Sequence, residues 1–250
     1  MKLKILLFIL AATTTLVSAQ KNVDSDQQTW LGVFNQTRFS QRWGLWFDGH
    51  LRLRDDFVGD LATGIFRPGL TYYAYEDLRL TAGYAYVHHF PAEGHENVAM
   101  PEHRPWQQVQ WFSRFPNLRL MNWVRLEERF RRKILHSTEL ADGYNFNWRV
   151  RFNLAAFMPL TKKKFEPGGL QFLVNDEVHF NFGKNIVYNH FDQNRLFFGL
   201  VYQLTGQAQL HGGYMNVFVQ QAAGNRFRSL HSIRLFYFHN FDFRKSNPDR

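Results

Sequence analysis

From Tyr144 to Met158 the chain alternates with a period of two. Tyr144, Phe146, Trp148, Val150, Phe152, Leu154, Ala156 and Met158 hold the even positions. Asn145, Asn147, Arg149, Arg151 and Asn153 stand between them. A helix would bring Asn147 and Arg151 onto the face of Tyr144, so the pattern predicts a strand. Strands in soluble sandwiches run to about 5–6 residues, and a tilted strand crossing a bilayer needs about 9–11. This one is long enough for the second task.

Other segments repeat the alternation. Leu45, Phe47, Leu51 and Leu53 interleave with Trp46, Asp48, His50, Arg52 and Arg54. Leu170, Phe172, Val174, Val178 and Phe180 interleave with Gln171, Asn175, Glu177 and His179. Leu196, Phe198, Leu200, Tyr202 and Leu204 alternate with Gln193, Arg195, Gly199 and Gln203, and Ile233, Leu235, Tyr237 and Phe241 share a phase near the C-terminus. Further strands are predicted over Trp30–Phe39, Ile65–Tyr75, Leu78–His88, Arg104–Ser113, Leu118–Arg131 and Ala208–Gln220, which brings the count to eleven. Trp123–Ile134 also satisfies a helical spacing through Trp123, Leu126, Phe130 and Ile134; its strand-like neighbours favour a strand.

The connectors differ in length. Short ones join Phe39 to Trp43, Tyr75 to Leu78, Phe115 to Leu118 and Thr205 to Ala208; long ones are Asp56–Thr63, Phe90–Glu102, Lys133–Gly143 and Gly183–Asp192. Periplasmic turns on one rim and long outer loops on the other are the signature of a transmembrane β-barrel. The fold predicted is all-β, a single antiparallel up-and-down transmembrane barrel. Lys162-Lys163-Lys164 then falls on the periplasmic side as a solvated turn. Parity poses a problem: if the Phe39–Trp43 turn is periplasmic, the first strand starts outside, whereas an exported N-terminus is expected to begin in the periplasm. Bacterial single-chain barrels have even strand numbers, so about twelve strands are expected, with ten next, or else the stretch from Gln20 crosses the lumen.

Residues 1–19 read as a signal peptide, which leaves 20–250 as the barrel domain. Lys2 and Lys4 precede an apolar stretch from Ile5 to Ala12, and Val17-Ser18-Ala19 supplies small residues for cleavage before Gln20. A membrane anchor is the weaker reading, because the apolar core is short. The longest later apolar run, Leu154–Leu160, contains Pro159. An exported chain without helical spans is either secreted and soluble or built into the outer membrane as strands.

Composition sharpens this. The 250 residues hold 26 Phe, 10 Tyr and 7 Trp, and mean hydropathy is −0.39. Aromatic rings at strand ends suit a headgroup belt. Cysteine is absent, which excludes disulfides, thiolate metal sites and cysteine nucleophiles. The formal charge is +9. Export keeps the chain from nucleic acid, so the expected partners are outer-membrane lipid and lipopolysaccharide phosphates, together with the barrel-assembly machinery that inserts such strands.

With rings outward, the inward phase carries Arg52, Arg54, Arg125, Glu127, Arg129, Arg149, Arg151, Glu177 and Arg195. Both signs occur, and such charges stay inside only if paired or wetted. The network reads either as a plug of salt bridges or as an anion-preferring constriction. No catalytic group is assigned. Glu127 and Glu128 are adjacent on a strand, face opposite ways and cannot flank one substrate. His88-His89 diverge likewise, and Glu177-x-His179 offers two ligands where zinc needs three or four. No phosphate-cradling or dinucleotide motif occurs, and no cofactor is expected. Ser229 and His231 share a face and are the weak candidates for a lipid hydrolase, without a nameable third group.

Several short pieces match a known family in order. They are Gln28-Thr29-Trp30, Arg67 through Tyr72, Ala82 through Tyr86, Pro101 through Arg104 with Trp106-Gln107, Arg125 through Arg129, Asn175-Asp176-Glu177, Phe191 through Arg195, and Gly213-Tyr214. Through them the chain resembles the domain of unknown function 2490 family, outer-membrane barrels of Bacteroidota-type bacteria. The resemblance implies a barrel in the outer membrane and brings no activity. The expectation is a non-enzymatic barrel, a narrow channel or a structural or surface element. One alternative is a lipid-hydrolysing or lipid-modifying barrel. The other is a secreted, soluble ligand-binding barrel, in which Trp148, Val150 and Phe152 would face inward and Arg149 and Arg151 outward.

Overall fold

A computed structural model describes residues 21–93 and 95–244; the expected signal peptide lies outside the described residues. Eleven strands follow one another without a helix among the described residues: β1 (Asn22–Arg38), β2 (Trp43–Arg54), β3 (Asp60–Tyr75), β4 (Leu78–His89), β5 (Met100–Phe115) and β6 (Leu118–His136), then β7 (Glu139–Pro159), β8 (Leu170–Phe182), β9 (Phe191–Gln203), β10 (Ala208–Gln220) and β11 (Arg226–His239). Each pairs antiparallel with its neighbour in sequence, and the ring closes where β1 meets β11. That last pairing is parallel, from Asn22 beside Arg226 to Phe34 beside Phe238.

The parallel seam corrects two expectations. The barrel is mixed rather than wholly antiparallel, and among the described residues the ring has eleven strands rather than twelve or ten. An even count follows only if first and last strands run in opposite directions. Here both run from the long-loop rim to the short-turn rim, so the ring closes on an odd number, and β1 does start at the long-loop rim. The seam is fastened at its lower end: Arg38 donates its backbone N–H to Phe241 and accepts one from Phe243, each at 2.8 Å.

Closure of the ring leaves no free sheet edge, the condition an isolated sheet of this size cannot otherwise meet. The strands are strongly staggered. A walk across the ladder from Arg38 through Gly44, Thr71, Thr81, Gln108, Arg125, Arg151, His179, Gln193, Val219 and Arg228 re-enters β1 at Asp24. Such a shear tilts the strands against the barrel axis.

The Trp123–Ile134 segment lies within β6, so its helical spacing is coincidental. The Lys133–Gly143 stretch is not a long loop. β6 and β7 continue through it to His136 and Glu139, and the hairpin stands above the rim. Conversely, the connector carrying Lys162-Lys163-Lys164, residues 160–169, is long for the short-turn rim.

Side-chain phase divides the barrel sharply. On β7, Asn147, Arg149, Arg151, Asn153 and Ala155 are buried inside, while Phe152 and Leu154 are exposed. The outward face elsewhere carries Leu45, Phe66, Leu80, Val109, Phe198, Leu200, Ile233 and Leu235. The soluble alternative required the opposite phase on β7, and the structure does not have it. Inside, two cross-strand glycine pairs make room for large rings. Gly69 faces Gly83 beneath Trp106, and Gly199 faces Gly213 beneath Phe197. A Cβ on Gly83 would lie 2.8 Å from the Trp106 ring, so the close approach requires glycine there.

Candidate functional site

The interior is built from the inward phase of the strands, which carries charged residues on β2, β3 and β5 through β9. Glu102 on β5 is wholly buried. Its Oε1 accepts from Arg104 Nη2 at 2.8 Å and from Arg129 Nε at 2.6 Å, and His89 Nε2 lies 3.1 Å from its Oε2. Glu127 on β6 is equally enclosed and takes Arg149 Nε at 2.8 Å and Arg151 Nη1 at 2.6 Å, with Arg104 at 3.6 Å. Arg151 reaches onward to Glu177 at 2.6 Å, and Glu177 also faces Arg195 at 3.5 Å and His179 at 2.9 Å. Arg149 joins Asp192 at 2.9 Å, and Asn181 donates to the same carboxylate at 2.9 Å. A carboxylate enclosed without such donors would not stay ionised. Glu102, Glu127 and Glu177 are each held by two arginines, and Asp192 by Arg149 and the Asn181 amide.

Aromatic rings complete the filling. Trp46 and Trp106 meet edge to face at 5.9 Å. Arg125 stands 4.4 Å above Trp106 and 5.8 Å from Trp46, which places it across the bore from β6 to β2. Arg52 lies 3.5 Å over Trp30 and Arg195 5.0 Å from the same ring. Asp48 accepts from Trp46 Nε1 at 2.8 Å and neighbours His50 and Arg67, both at 3.1 Å. The bore is therefore crossed by side chains at mid-height.

A cavity of about 520 Å³ lies between this layer and the short-turn rim. Its deep end is cationic and aromatic, with Trp30, Arg52, Arg125 and Arg234. Its mouth is lined by Phe112, Leu120, Phe157 and Phe165. Phe165 comes from the 160–169 connector and covers Arg119 at 3.7 Å. Lys164 Nζ, 3.2 Å from the Pro116 carbonyl, ties that connector to the β5–β6 turn. Just outside the mouth, the Glu76 carboxyl is held below its usual range by hydrogen bonds from Arg38.

All nine residues assigned to the interior lie on lumen-facing positions, with unequal roles. Arg125, Glu127, Arg129, Arg149, Arg151, Glu177 and Arg195 are in the network. Arg52 rests on Trp30 alone. Arg54 sits at the long-loop rim, 3.3 Å from Asp55. Sequence reasoning omitted Glu102, Arg104, Asp48, Arg67 and Asp192 from the set. The first four carried a readable signal, since Glu102 and Arg104 share the phase of Trp106, Asp48 that of Trp46, and Arg67 that of Ile65 and Tyr73 on β3. Asp192 did not. Its even position belongs to the outward phase of β9, and an irregular register opposite His179 and Phe180 turns it inward.

Known families speak to this geometry. A family model described as Protein of unknown function (DUF2490) matches residues 27–228. The chain belongs to the DUF2490 family. No curated protein and no solved structure matches it. The matched span of this DUF2490 barrel takes in β2 through β10 and the whole ion-pair network.

Ser229 and His231 lie on the outer face of β11 and do not meet. Ser229 Oγ accepts from Asn216 Nδ2 at 2.8 Å, and His231 Nδ1 shares a 2.6 Å hydrogen bond with the Tyr214 hydroxyl. A serine nucleophile needs the histidine as its hydrogen-bond partner. Ser229→Ala is accordingly expected to leave phospholipid hydrolysis by the purified protein unchanged, measured as fatty-acid release from mixed micelles; a serine-dependent activity would reinstate the pair. Glu127 and Glu128 point to opposite sides of the wall, as do His88 and His89. Among the described residues no group of three His, Asp or Glu is placed to hold a metal ion.

Proposed function

We propose that this DUF2490 chain is an exported, integral outer-membrane barrel, non-enzymatic, whose bore is kept shut by its own ion pairs. It serves as a structural or surface element rather than an open channel. The observation that carries the reading is the phase of the strands, with Phe, Leu and Val outward around the ring and guanidinium and carboxylate groups inside. An exposed apolar band on this scale needs a cover, and a closed sheet is the only β-structure that satisfies its backbone within hydrocarbon. Trp43, Tyr72, Trp111, Tyr202 and Tyr237 stand near the short-turn rim, where headgroups favour aromatic rings. Basic residues at the rims, among them Arg42, Arg226 and Lys162, suit lipid and lipopolysaccharide phosphates. Insertion of such a ring calls on the barrel-assembly machinery.

Two measurements test it. After carbonate washing the protein is expected to stay with the outer membrane and to change gel mobility on boiling; release into the wash refutes the membrane assignment. In planar bilayers no ohmic conductance steps are expected. Stable open-channel steps would refute the shut bore and favour an anion-preferring constriction.

A further inference from the structure

The network neutralises itself, but the cavity below it does not. Among the described residues its wall presents ten arginines against two carboxylates, Asp48 and Glu177. Asp48 is occupied by Arg67 and His50, and Glu177 by Arg151, Arg195 and His179. Arg52 and Arg234 are left with aromatic faces in place of anions: Trp30 for the first, and Phe197 at 3.4 Å and Phe236 at 4.9 Å for the second. Both have a buried Nε without a hydrogen-bond acceptor. Arg234 is 8% exposed, and Ser232, one step along the same face, is wholly buried with its hydroxyl unpartnered. The two arginines flank Trp30 on the adjoining strands, since Trp30 pairs with Arg52 on β2 and with Arg234 on β11. Arg125 adds a third unpartnered donor, its Nη1, at 4.0 Å from Glu127.

Beyond the floor an apolar strip runs along the cavity wall, with Gln36, Gln209 and Asn240 beside it and Arg79, Arg114 and Arg119 nearer the mouth. Phe34, Met121, Phe157, Met215 and Phe238 line the path from this cationic floor to the mouth. A guanidinium away from water calls for an anion with lone pairs in reach, and a path of rings and thioethers calls for an apolar chain. We propose that the cavity is a binding site for a single-chain amphipathic anion of the fatty-acid class. Its carboxylate meets the Arg52–Trp30–Arg234 floor, and its chain lies toward Phe157 and Phe165. The volume, about 520 Å³, falls in the range of about 300–1,000 Å³ of small-molecule pockets. A small inorganic anion would use the floor and leave the apolar path unfilled; a neutral lipid would do the reverse. The proposal rests on the shut-barrel reading, because an open bore would let such a ligand pass.

Tryptophan supplies the readout, since Trp30, Trp46 and Trp123 line the cavity. Full-length mature protein in neutral detergent, shown folded by its heat-modifiable mobility, is titrated with 11-bromododecanoate. Saturable quenching at one site is expected, displaced by dodecanoate and not by inorganic phosphate. Arg52→Met with Arg234→Met is expected to weaken binding about tenfold or more, the loss of at least one charge-assisted hydrogen bond. The double variant is expected to fold, because removing these two arginines leaves no carboxylate unpaired; single Arg52→Met and Arg234→Met variants, each weakened less, repeat the comparison. Equal binding of 11-bromododecanol, displacement by phosphate, unchanged affinity in the variants or absence of saturable quenching each overturns the proposal. A chain that washes off the membrane refutes the parent reading instead, whatever it binds.

Discussion

Glu127→Ala is expected to destabilise the barrel by about 3–5 kcal/mol, the cost of breaking a buried ion pair from one side. The carboxylate is wholly buried and holds Arg149 and Arg151 at hydrogen-bonding distance, with Arg104 close behind. Without it three guanidiniums crowd one another in the middle of the bore. Asp192 and Glu177 are already engaged and relieve only part of the repulsion. Arg52→Met is the matching control, because it strands no carboxylate, and no comparable loss is expected from it. Urea titration of both variants in lipid vesicles, followed by heat-modifiable mobility, compares them. Equal stability of the two would show that the network does not hold the fold.

The second large effect belongs to the outer face. Phe198→Arg, outward on β9 and well above Tyr202, is expected to cost about 2–4 kcal/mol in vesicles, the value for a cation at the bilayer midplane. Tyr202→Arg, at the rim of the same strand, is expected to cost about 0–1 kcal/mol. Both side chains are exposed to a similar degree, 41% and 43%, so a protein bathed in water would not distinguish them. Depth in hydrocarbon would. The same pair of unfolding titrations gives the answer, and equal costs would remove the membrane assignment.

Much of this architecture is readable in the alternation itself. The β7 phase, the strand character of Trp123–Ile134 and the opposite facing of Glu127 and Glu128 all follow from a side-chain period of two. What the alternation lacks is the direction of a neighbouring strand. Residues 22–34 alternate alike beside a parallel or an antiparallel partner, so the β1–β11 seam had no signature, and an even count was inferred from precedent. Asp192 escaped for a related reason, because one irregular step in the β8–β9 register inverts its side and period-two reasoning carries no warning of that. The Lys133–Gly143 stretch read as loop because its charges and Gly143 interrupt the apolar series, while the long β6–β7 hairpin has no core to face there. The cavity was illegible altogether. It depends on which arginines lack an acid, and that is a property of three-dimensional partners rather than of any strand.

The parallel seam has a consequence for how the ring is made. Its closing strand, Arg226–His239, is the last of the eleven, and its mate is the first. Every other pairing joins consecutive neighbours; this one spans nearly the full contour of the polypeptide and carries the highest loop-closure cost. Until both are delivered, the structure is a curled ribbon with two open borders, and a chain cut before residue 226 has nothing with which to seal itself. The described segment also enters through one rim and leaves through the other, so labels at Lys21 and Arg244 report on opposite sides of the ring.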